Sequence, residues 1–215
     1  MPVEPTLEVE AELFRAGATV IIGLDEVGRG ALAGPVMVGA CVVTAEYSSF
    51  PPGLRDSKLI SEKKRELIYP LILEWATTSV GESSAEEIDE FGITHALGLA
   101  AKRSLTQLHE AGIPIAQATI LLDGSHDWLN PVLAQPLTVI TRVKADQDCA
   151  VVSAASVVAK VTRDRLMSEL HLLHPHYNWE SNKGYGAAIH MDAISSRGTS
   201  DHHRKTWVKD TVQQA

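Results

Sequence analysis

The sequence predicts an α/β fold in which a mixed central sheet is flanked by helices. Short β-branched apolar runs alternate along the chain with longer amphipathic stretches that begin at cap residues. Strands separated by helices are the pattern of an α/β layer architecture. With 45% hydrophobic and 21% charged residues, the 215-residue chain has the composition of a globular protein. This composition excludes collagen-like, mucin-like and disordered classes, and the length suffices for a stable core.

The first half of the chain contains three predicted strands and three predicted helices. The first strand, Thr19–Asp25, is a β-branched apolar run between glycines, which favours a strand buried on both faces. Ser61 before an amphipathic stretch predicts a capped helix, and Gly112 predicts the end of another. The remaining expected elements are strands at Val36–Val43 and Thr77–Val80, a short helix at Ser84–Glu90 and a long helix at Thr94–Ala111.

The second half adds two predicted strands and a long helix. Ala118–Leu122 and Leu137–Val143 are the strands, the latter alternating or buried, and Ala150–Leu173 is the helix. We expect a flexible acidic leader over residues 1–17, which at most forms one loose helix, and a catalytic domain over residues 18–215. A helical segment from about residue 174, with one helix at Ala187–Ser196, completes the predicted domain.

Charge and cysteine usage narrow the possible environments. The net charge of −8 hides an asymmetry: residues 1–140 carry 9 basic against 19 acidic side chains, whereas residues 141–215 carry 10 against 8. Cys41 and Cys149 form neither a disulfide framework nor a CxxC zinc site, and we expect both to be buried thiols. The longest uncharged stretch, Gly30–Ala45, is too short and too interrupted by glycine and proline for a membrane span. We therefore expect a cytoplasmic protein without a membrane partner.

Acidic residues follow three of the predicted strands. They are Asp25–Glu26, Asp123 and, three residues after Val143, Asp146. Strand ends that converge at one edge of a sheet can gather carboxylates around a hard cation, which predicts an Mg²⁺ or Mn²⁺ site. A single acid just past a strand is more often a cap or turn residue. Adjacent strand residues point to opposite faces, so Asp25 and Glu26 share a site only if the regular pleat ends there.

Gly28, Arg29 and Gly30 place a flexible backbone with amide donors next to these acids. Such a loop lets a ribose hydroxyl or a phosphate approach the main chain closely. A tight turn with a solvated arginine is the alternative interpretation.

The ordered set of motifs resembles bacterial ribonuclease HII from about residue 18 to residue 207. The matching segments are DEVGRG at 25–30, GPV at 34–36, DSK at 56–58, DG at 123–124, KAD at 144–146, SAAS at 153–156, AKVTRD at 159–164, KGY at 183–185 and HR at 203–204. The resemblance implies a ribonuclease H-like fold and endonucleolytic cleavage of RNA in RNA/DNA hybrids. It also implies nicking on the 5′ side of single ribonucleotides embedded in DNA, which gives 3′-hydroxyl and 5′-phosphate ends and serves ribonucleotide removal in replication and repair.

The resemblance also assigns residue roles. It implies a two-metal Mn²⁺ or Mg²⁺ site whose catalytic ligands are Asp25, Glu26, Asp123 and Asp146, with Asp127 and Asp148 outside the motif. It implies that Gly28, Arg29 and Gly30 sense the 2′-hydroxyl, that Lys58 contacts a phosphate and that Tyr185 stacks on the sugar after the junction. The expected partner is an RNA/DNA hybrid or ribonucleotide-containing DNA, bound by a monomer.

Two other function classes use part of the same pattern. A small-molecule phosphatase or phosphotransferase would share the acids, but no P-loop is present, and the Gly-Arg-Gly and Lys-Gly-Tyr elements count against it. A non-catalytic nucleic-acid-binding module would be expected to lack one or more acids, because metal-free carboxylates oppose a polyanion. Type III ribonuclease H is a closer relative, but its additional N-terminal domain has no counterpart in a leader of this length.

Several charged side chains leave their roles open in the sequence. A basic set could form a nucleic-acid face or only the solvated side of its elements: Arg142, Lys144, Lys160, Arg163 and Arg165. Asp164 fits a capping acid or a support for the metal ligands. His202 and His203 fit either a catalytic or a structural role.

Overall fold

A computed structural model describes residues 4–212 of the chain, with side chains described through Val208. Within that range five strands form one sheet and nine α-helices surround it. The strands are β1 (Val20–Val27), β2 (Val36–Thr44), β3 (Thr77–Ser83), β4 (Ala118–Asp123) and β5 (Thr138–Arg142). The helices are α1 (Glu8–Arg15), α2 (Glu62–Trp75), α3 (Ala85–Phe91), α4 (Ile93–Glu110), α5 (Ala145–Asp148), α6 (Ala150–Leu173), α7 (Trp179–Asn182), α8 (Ala188–Arg197) and α9 (Lys205–Val212).

The sheet is mixed, as the sequence predicts, with strand order β3-β2-β1-β4-β5. β1, β2 and β3 form an antiparallel meander, and β4 and β5 add to β1 in parallel. β1 is therefore central, and its residues are buried on both faces because helices cover both. The prediction for the edge strand β5 is wrong in one respect. The sequence favoured an alternating or buried strand, whereas most residues of β5 are exposed.

Helices α4 and α6 pack on opposite faces of this sheet. Alternate residues of β1 enter two different apolar clusters, so that Ile22 and Leu24 face α4 whereas Ile21 faces α6. Helix α6 approaches the sheet closely, because a Cβ atom at Gly23 would lie 2.6 Å from the Val151 carbonyl carbon. A third cluster, built around Met167 and Trp179, joins the end of α6 to the C-terminal helices.

Local capping explains several helix starts. The Ser61 side chain accepts from the Lys64 amide at 3.4 Å, as the sequence predicts for α2. Ser84 and Glu87 form a reciprocal capping box at the start of α3. Helix α4 ends just before Gly112, which has a φ of 91°.

The acidic leader differs from the flexible segment that we expected. Residues 8–15 form α1, and Thr6 lies opposite Cys149 in a parallel bridge. The Thr6 amide donates to the Asp148 carbonyl and the Thr6 carbonyl accepts from the Ala150 amide, both at 2.9 Å. Glu10 is fully buried, and its Oε1 accepts from the Val151 amide at 2.9 Å. A carboxylate satisfies an unpaired amide in the first turn of a helix, so the leader caps α6. Cys41 and Cys149 are free and buried, as predicted.

Candidate metal centre and substrate-contacting surface

Three carboxylates converge at one end of the central strands. Asp25 lies on β1, Asp123 ends β4 and Asp146 lies on α5, and one oxygen of each falls within 4.8 Å of the others. The pairing of Leu24 with Leu122 sets Asp25 and Asp123 side by side on adjacent parallel strands. The Ala145 amide donates to Asp123 Oδ1 at 2.8 Å, which fixes the start of α5 and with it Asp146. Oxygen ligands at this spacing fit a hard divalent cation.

Glu26 occupies a different position from these three. β1 continues through Val27, so the regular pleat does not end at Asp25 as the sequence argument for a shared site required. Glu26 lines a cavity of about 380 Å³ together with Asp123 and Arg29, and its Oε1 lies 3.4 Å from Arg29 Nη1. The structure thus brings three of the four predicted ligands together and places the fourth beside them.

The environment of the acids opposes their negative charge. Burial and then the charge of Glu26 raise the pKa of Asp25 well above its usual value. Burial also raises the pKa of Glu26, and burial followed by repulsion from Asp146 raises that of Asp123. A bound divalent cation reverses this penalty because it favours the ionised form of each carboxylate.

Lys58 contacts this acidic group directly. Its Nζ lies 3.0 Å from Asp146 Oδ2 and 3.9 Å from Asp56 Oδ1. Burial would lower the pKa of Lys58, but attraction to Asp25 and Asp146 outweighs burial and raises it. The 3₁₀ turn that carries Lys58 is held by Asp56, which accepts from the Lys58 amide at 3.0 Å, and by the 2.8 Å contact between the Ser57 and Ser156 hydroxyls. Lys58 is thus positioned at the rim of the carboxylate group, where a phosphate could meet it.

Gly28, Arg29 and Gly30 form a loop directly after β1, in which Gly28 is buried and Arg29 and Gly30 are exposed. Gly28 has a φ of 80°, and a Cβ atom there would collide with the Arg163 guanidinium. The Gly28 and Arg29 carbonyls accept from Arg204 at 2.5 and 2.7 Å. The loop therefore begins beside Asp25 and is held from beneath by the C-terminal part of the chain.

Tyr185 is 39% exposed and projects from the turn that follows α7. Lys183 adopts a left-handed φ of 49°, and Asn182 Oδ1 accepts from the Gly184 amide at 2.9 Å, which shapes this turn. The Gly184 carbonyl accepts from Leu32 and Ala33 at 2.8 and 3.1 Å. The structure thus joins the Tyr185 turn to the segment that follows the glycine loop, although the two lie more than 150 positions apart.

Arg163 does not match either sequence interpretation of the basic set. Its side chain is completely buried and donates to backbone carbonyls, so it belongs neither to an exposed nucleic-acid face nor to a solvated helix side. Exposed members of the set form ion pairs instead, Arg142 with Asp148 at 2.8 Å and Arg165 with Glu66 at 2.5 Å. Only the match of Arg163 to the AKVTRD motif could have singled it out.

Asp164 and His203 have structural partners. Asp164 pairs with Lys160 at 2.5 Å and with Arg65 at 3.4 Å, outside the carboxylate group. His203 is buried, its Nδ1 accepts from the Ser200 amide at 2.9 Å, and its Nε2 lies 3.1 Å from that of His190. These contacts support the structural interpretation of His203.

Residues 22–210 match the family model described as Ribonuclease HII. A curated relative named Ribonuclease HII, from Streptomyces avermitilis, is 42% identical over 210 residues, which cover 96% of this chain and 85% of the relative. The chain belongs to the ribonuclease HII family. This finding confirms the sequence resemblance. It also confirms the expectation that the protein is a hydrolase, an endonuclease that acts on RNA/DNA.

Solved structures agree with the ribonuclease H-like fold expected for the ribonuclease HII family. Ribonuclease H2 from Pyrococcus horikoshii aligns with a TM-score of 0.69 and 24% identity, covering 91% of this chain and 98% of that one. Bst-RNase HIII in complex with Mn²⁺ aligns with a TM-score of 0.71 and 23% identity, covering 94% and 72%. Within residues 4–212, no helix combines the length and apolar character needed to cross a bilayer.

Proposed function

We propose that this chain nicks duplex DNA on the 5′ side of an embedded ribonucleotide, in addition to cleaving the RNA strand of hybrids. The observation that carries the proposal is the position of the carboxylate group beside the glycine loop and Tyr185. Asp25 and Gly28 are only three residues apart, and the Gly184 carbonyl bonds the segment after the loop. The surface that would contact a 2′-hydroxyl therefore adjoins the group that would hold the metal.

The residues present fit a divalent metal centre. Asp25, Asp123 and Asp146 would bind the cation, with Glu26 as the fourth ligand of a two-metal Mg²⁺ or Mn²⁺ site. A bound cation pair would activate water, neutralise the phosphoryl oxygens and stabilise the leaving oxygen, which yields 3′-hydroxyl and 5′-phosphate ends. The Mn²⁺ complex of Bst-RNase HIII, a protein of the same fold, supports this assignment.

The other side chains supply binding and selectivity. Lys58, at the rim of the acids, would pair with a substrate phosphate. The amides of the glycine loop would donate to the 2′-hydroxyl, a group that an all-DNA duplex lacks. Tyr185 would stack on the sugar that follows the junction.

A cleavage assay on three labelled duplexes tests this proposal. We expect metal-dependent nicking of an RNA/DNA hybrid and of DNA with one ribonucleotide, and no cleavage of an all-DNA duplex or in EDTA. Fragment ends mapped against a ladder should show a nick 5′ to the ribonucleotide with a 3′-hydroxyl. Cleavage of the hybrid alone would contradict the proposed specificity while leaving the family activity intact. A role in replication and repair, the cytoplasmic location, the monomeric state and the division at residue 17 stay predictions.

A further inference from the structure

Two completely buried arginines lie beneath the proposed substrate-contacting surface. Arg163, on α6, and Arg204, just before α9, are both 0% exposed. Within the described part of the chain, no carboxylate forms an ion pair with either. A buried charge without a counter-charge is costly, so its hydrogen bonds must provide the compensation.

Among the described residues, every acceptor of these guanidinium groups is a backbone carbonyl. The acceptors lie within residues 28–35, which begin with the glycine loop, and at Lys183 in the turn that carries Tyr185. Arg163 donates to Pro35 at 2.9 Å, to Ala33 at 3.0 Å and to Lys183 at 2.9 Å. One planar group therefore ties the end of the glycine-loop segment to the turn that carries Tyr185. The Arg163 guanidinium carbon also lies 5.7 Å from the Tyr185 ring centroid, within the range of a cation–π contact.

Arg204 holds the glycine loop itself. It donates to Gly28 at 2.5 Å, to Arg29 at 2.7 Å and to Gly34 at 3.2 Å. Its guanidinium carbon lies 4.9 Å from the Trp207 ring centroid, which covers the other side of the group.

These bonds decide where the loop amides point. In a trans peptide the carbonyl and the following N–H are directed oppositely. Because Arg204 draws the Gly28 and Arg29 carbonyls inward, the amides of Arg29 and Gly30 are directed outward. Arg29 and Gly30 are both exposed, so the two adjacent donors face the solvent side of the loop.

We propose that Arg163 and Arg204 are positioning residues that set ribonucleotide specificity without touching the substrate, by locking the glycine loop and the Tyr185 turn into one rigid unit. This inference rests on the proposed function, because it assigns the contact with the 2′-hydroxyl to those two segments. A lysine cannot replace either residue, since an ammonium on a flexible stem does not present the planar fork that reaches several carbonyls together.

The test compares Arg163→Lys and Arg204→Lys with the wild type, using kcat/KM on the single-ribonucleotide duplex and on a long hybrid. A misplacement of about 1 Å can cost about 100-fold in rate, so we expect a 10- to 100-fold loss on the single ribonucleotide. We expect a smaller loss on the hybrid, where many registers offer a 2′-hydroxyl. Arg103→Lys is the matched control: Arg103 also donates to a carbonyl and pairs with Glu87, but on α4, and should leave both values unchanged.

A chemical rescue separates positioning from simple loss of stability. Added guanidinium should restore the single-ribonucleotide activity of Arg204→Ala, whereas sodium at the same ionic strength should not. Equal losses on both substrates with a lowered Tm and no rescue would overturn the inference. If the wild type itself fails to nick the single-ribonucleotide duplex, the proposed function fails instead.

The wild-type protein offers a measurement that does not depend on a folded variant. Hydrogen bonds from both Nη atoms hinder rotation of a guanidinium, so the Nη resonances of Arg163 and Arg204 should be resolved by NMR. Averaged Nη resonances for these two side chains would refute the clamp even if every variant fails to fold.

Discussion

Asp25→Asn should stabilise the protein when no metal is bound, and it should abolish metal-dependent cleavage. The Asp25 carboxylate is 2% exposed and lies within 4.8 Å of oxygens of Asp123 and Asp146. Two charges at that separation repel by about 3.5 kcal/mol at an effective dielectric constant of about 20. Lys58, 3.0 Å from Asp146, offsets part of this repulsion, and protonation of Asp25 relieves more.

We therefore expect Asp25→Asn to raise the stability in EDTA by about 1–2 kcal/mol, which for a chain of this size is a rise in Tm of about 2–8 °C. Added metal should make the wild type more stable than the variant. A cation at 100 times its Kd adds about 2.7 kcal/mol to the wild type, and a variant that lacks one ligand should gain much less. Cleavage should fall by more than about 100-fold, since even loss of a partner of a metal ligand commonly costs 10- to 100-fold.

Thermal unfolding in EDTA and across a Mn²⁺ titration measures both effects. Asp148→Asn is the matched control, because Asp148 pairs with Arg142 at the surface and lies outside the carboxylate group. Its loss should change stability by no more than about 1 kcal/mol and leave the metal response unchanged. If Asp25→Asn were destabilised in EDTA and still gained as much from Mn²⁺ as the wild type, Asp25 would not be a ligand.

Four further outcomes follow from the structure. Tyr185→Ala should lose more kcat/KM on a single-ribonucleotide duplex than on a long hybrid, by about 5- to 150-fold for a lost contact worth about 1–3 kcal/mol; equal losses would indicate a packing role. Substrate binding should weaken steeply with salt, with a log–log slope reduced by about 1 in Lys58→Ala, as titration by fluorescence anisotropy would show. Burial lowers the pKa of His203 from 6.5 to about 4. The contribution of the neutral His203 side chain to the free energy of unfolding is therefore fully present above pH 6.5 and is lost as the pH falls toward 4. That loss amounts to at most about 3 kcal/mol. In His203→Gln, which lacks the titrating group, the Tm should depend less on pH over this range than in the wild type. Removal of residues 1–16 should lower the free energy of unfolding by about 1 kcal/mol or more through loss of the Glu10 cap, which a fall in Tm would show.

Local pattern was sufficient for most of the secondary structure. The long helix Ala150–Leu173 has the bounds that the sequence predicted, and each of the five strands overlaps its predicted run. Apolar periodicity and cap residues act within a few positions, so they can be recognised without knowing the rest of the chain. Burial of an edge strand depends on what covers it, and for that reason β5 was predicted incorrectly.

The sequence could predict those residues of the candidate site whose side-chain type or motif indicates a chemical role. Acids at strand ends identified Asp25, Asp123 and Asp146, and the family resemblance added Glu26, Lys58, the glycine loop and Tyr185. The continuation of β1 past Asp25, which places Glu26 beside the other three acids rather than among them, required the strand pairing of the folded sheet.

The sequence alone therefore determined the family, the α/β class and the acids that would bind metal. Only the fold shows that Glu10, Arg163 and Arg204 are completely buried, which the sequence did not predict. A charged side chain is normally solvated, and nothing local marks the exception. Burial of Arg163 depends on carbonyls at positions 33, 35 and 183, which come together only when α6, the glycine-loop segment and the Tyr185 turn pack against one another. Hydrogen bonds between such distant segments have no signature in either partner's neighbouring sequence.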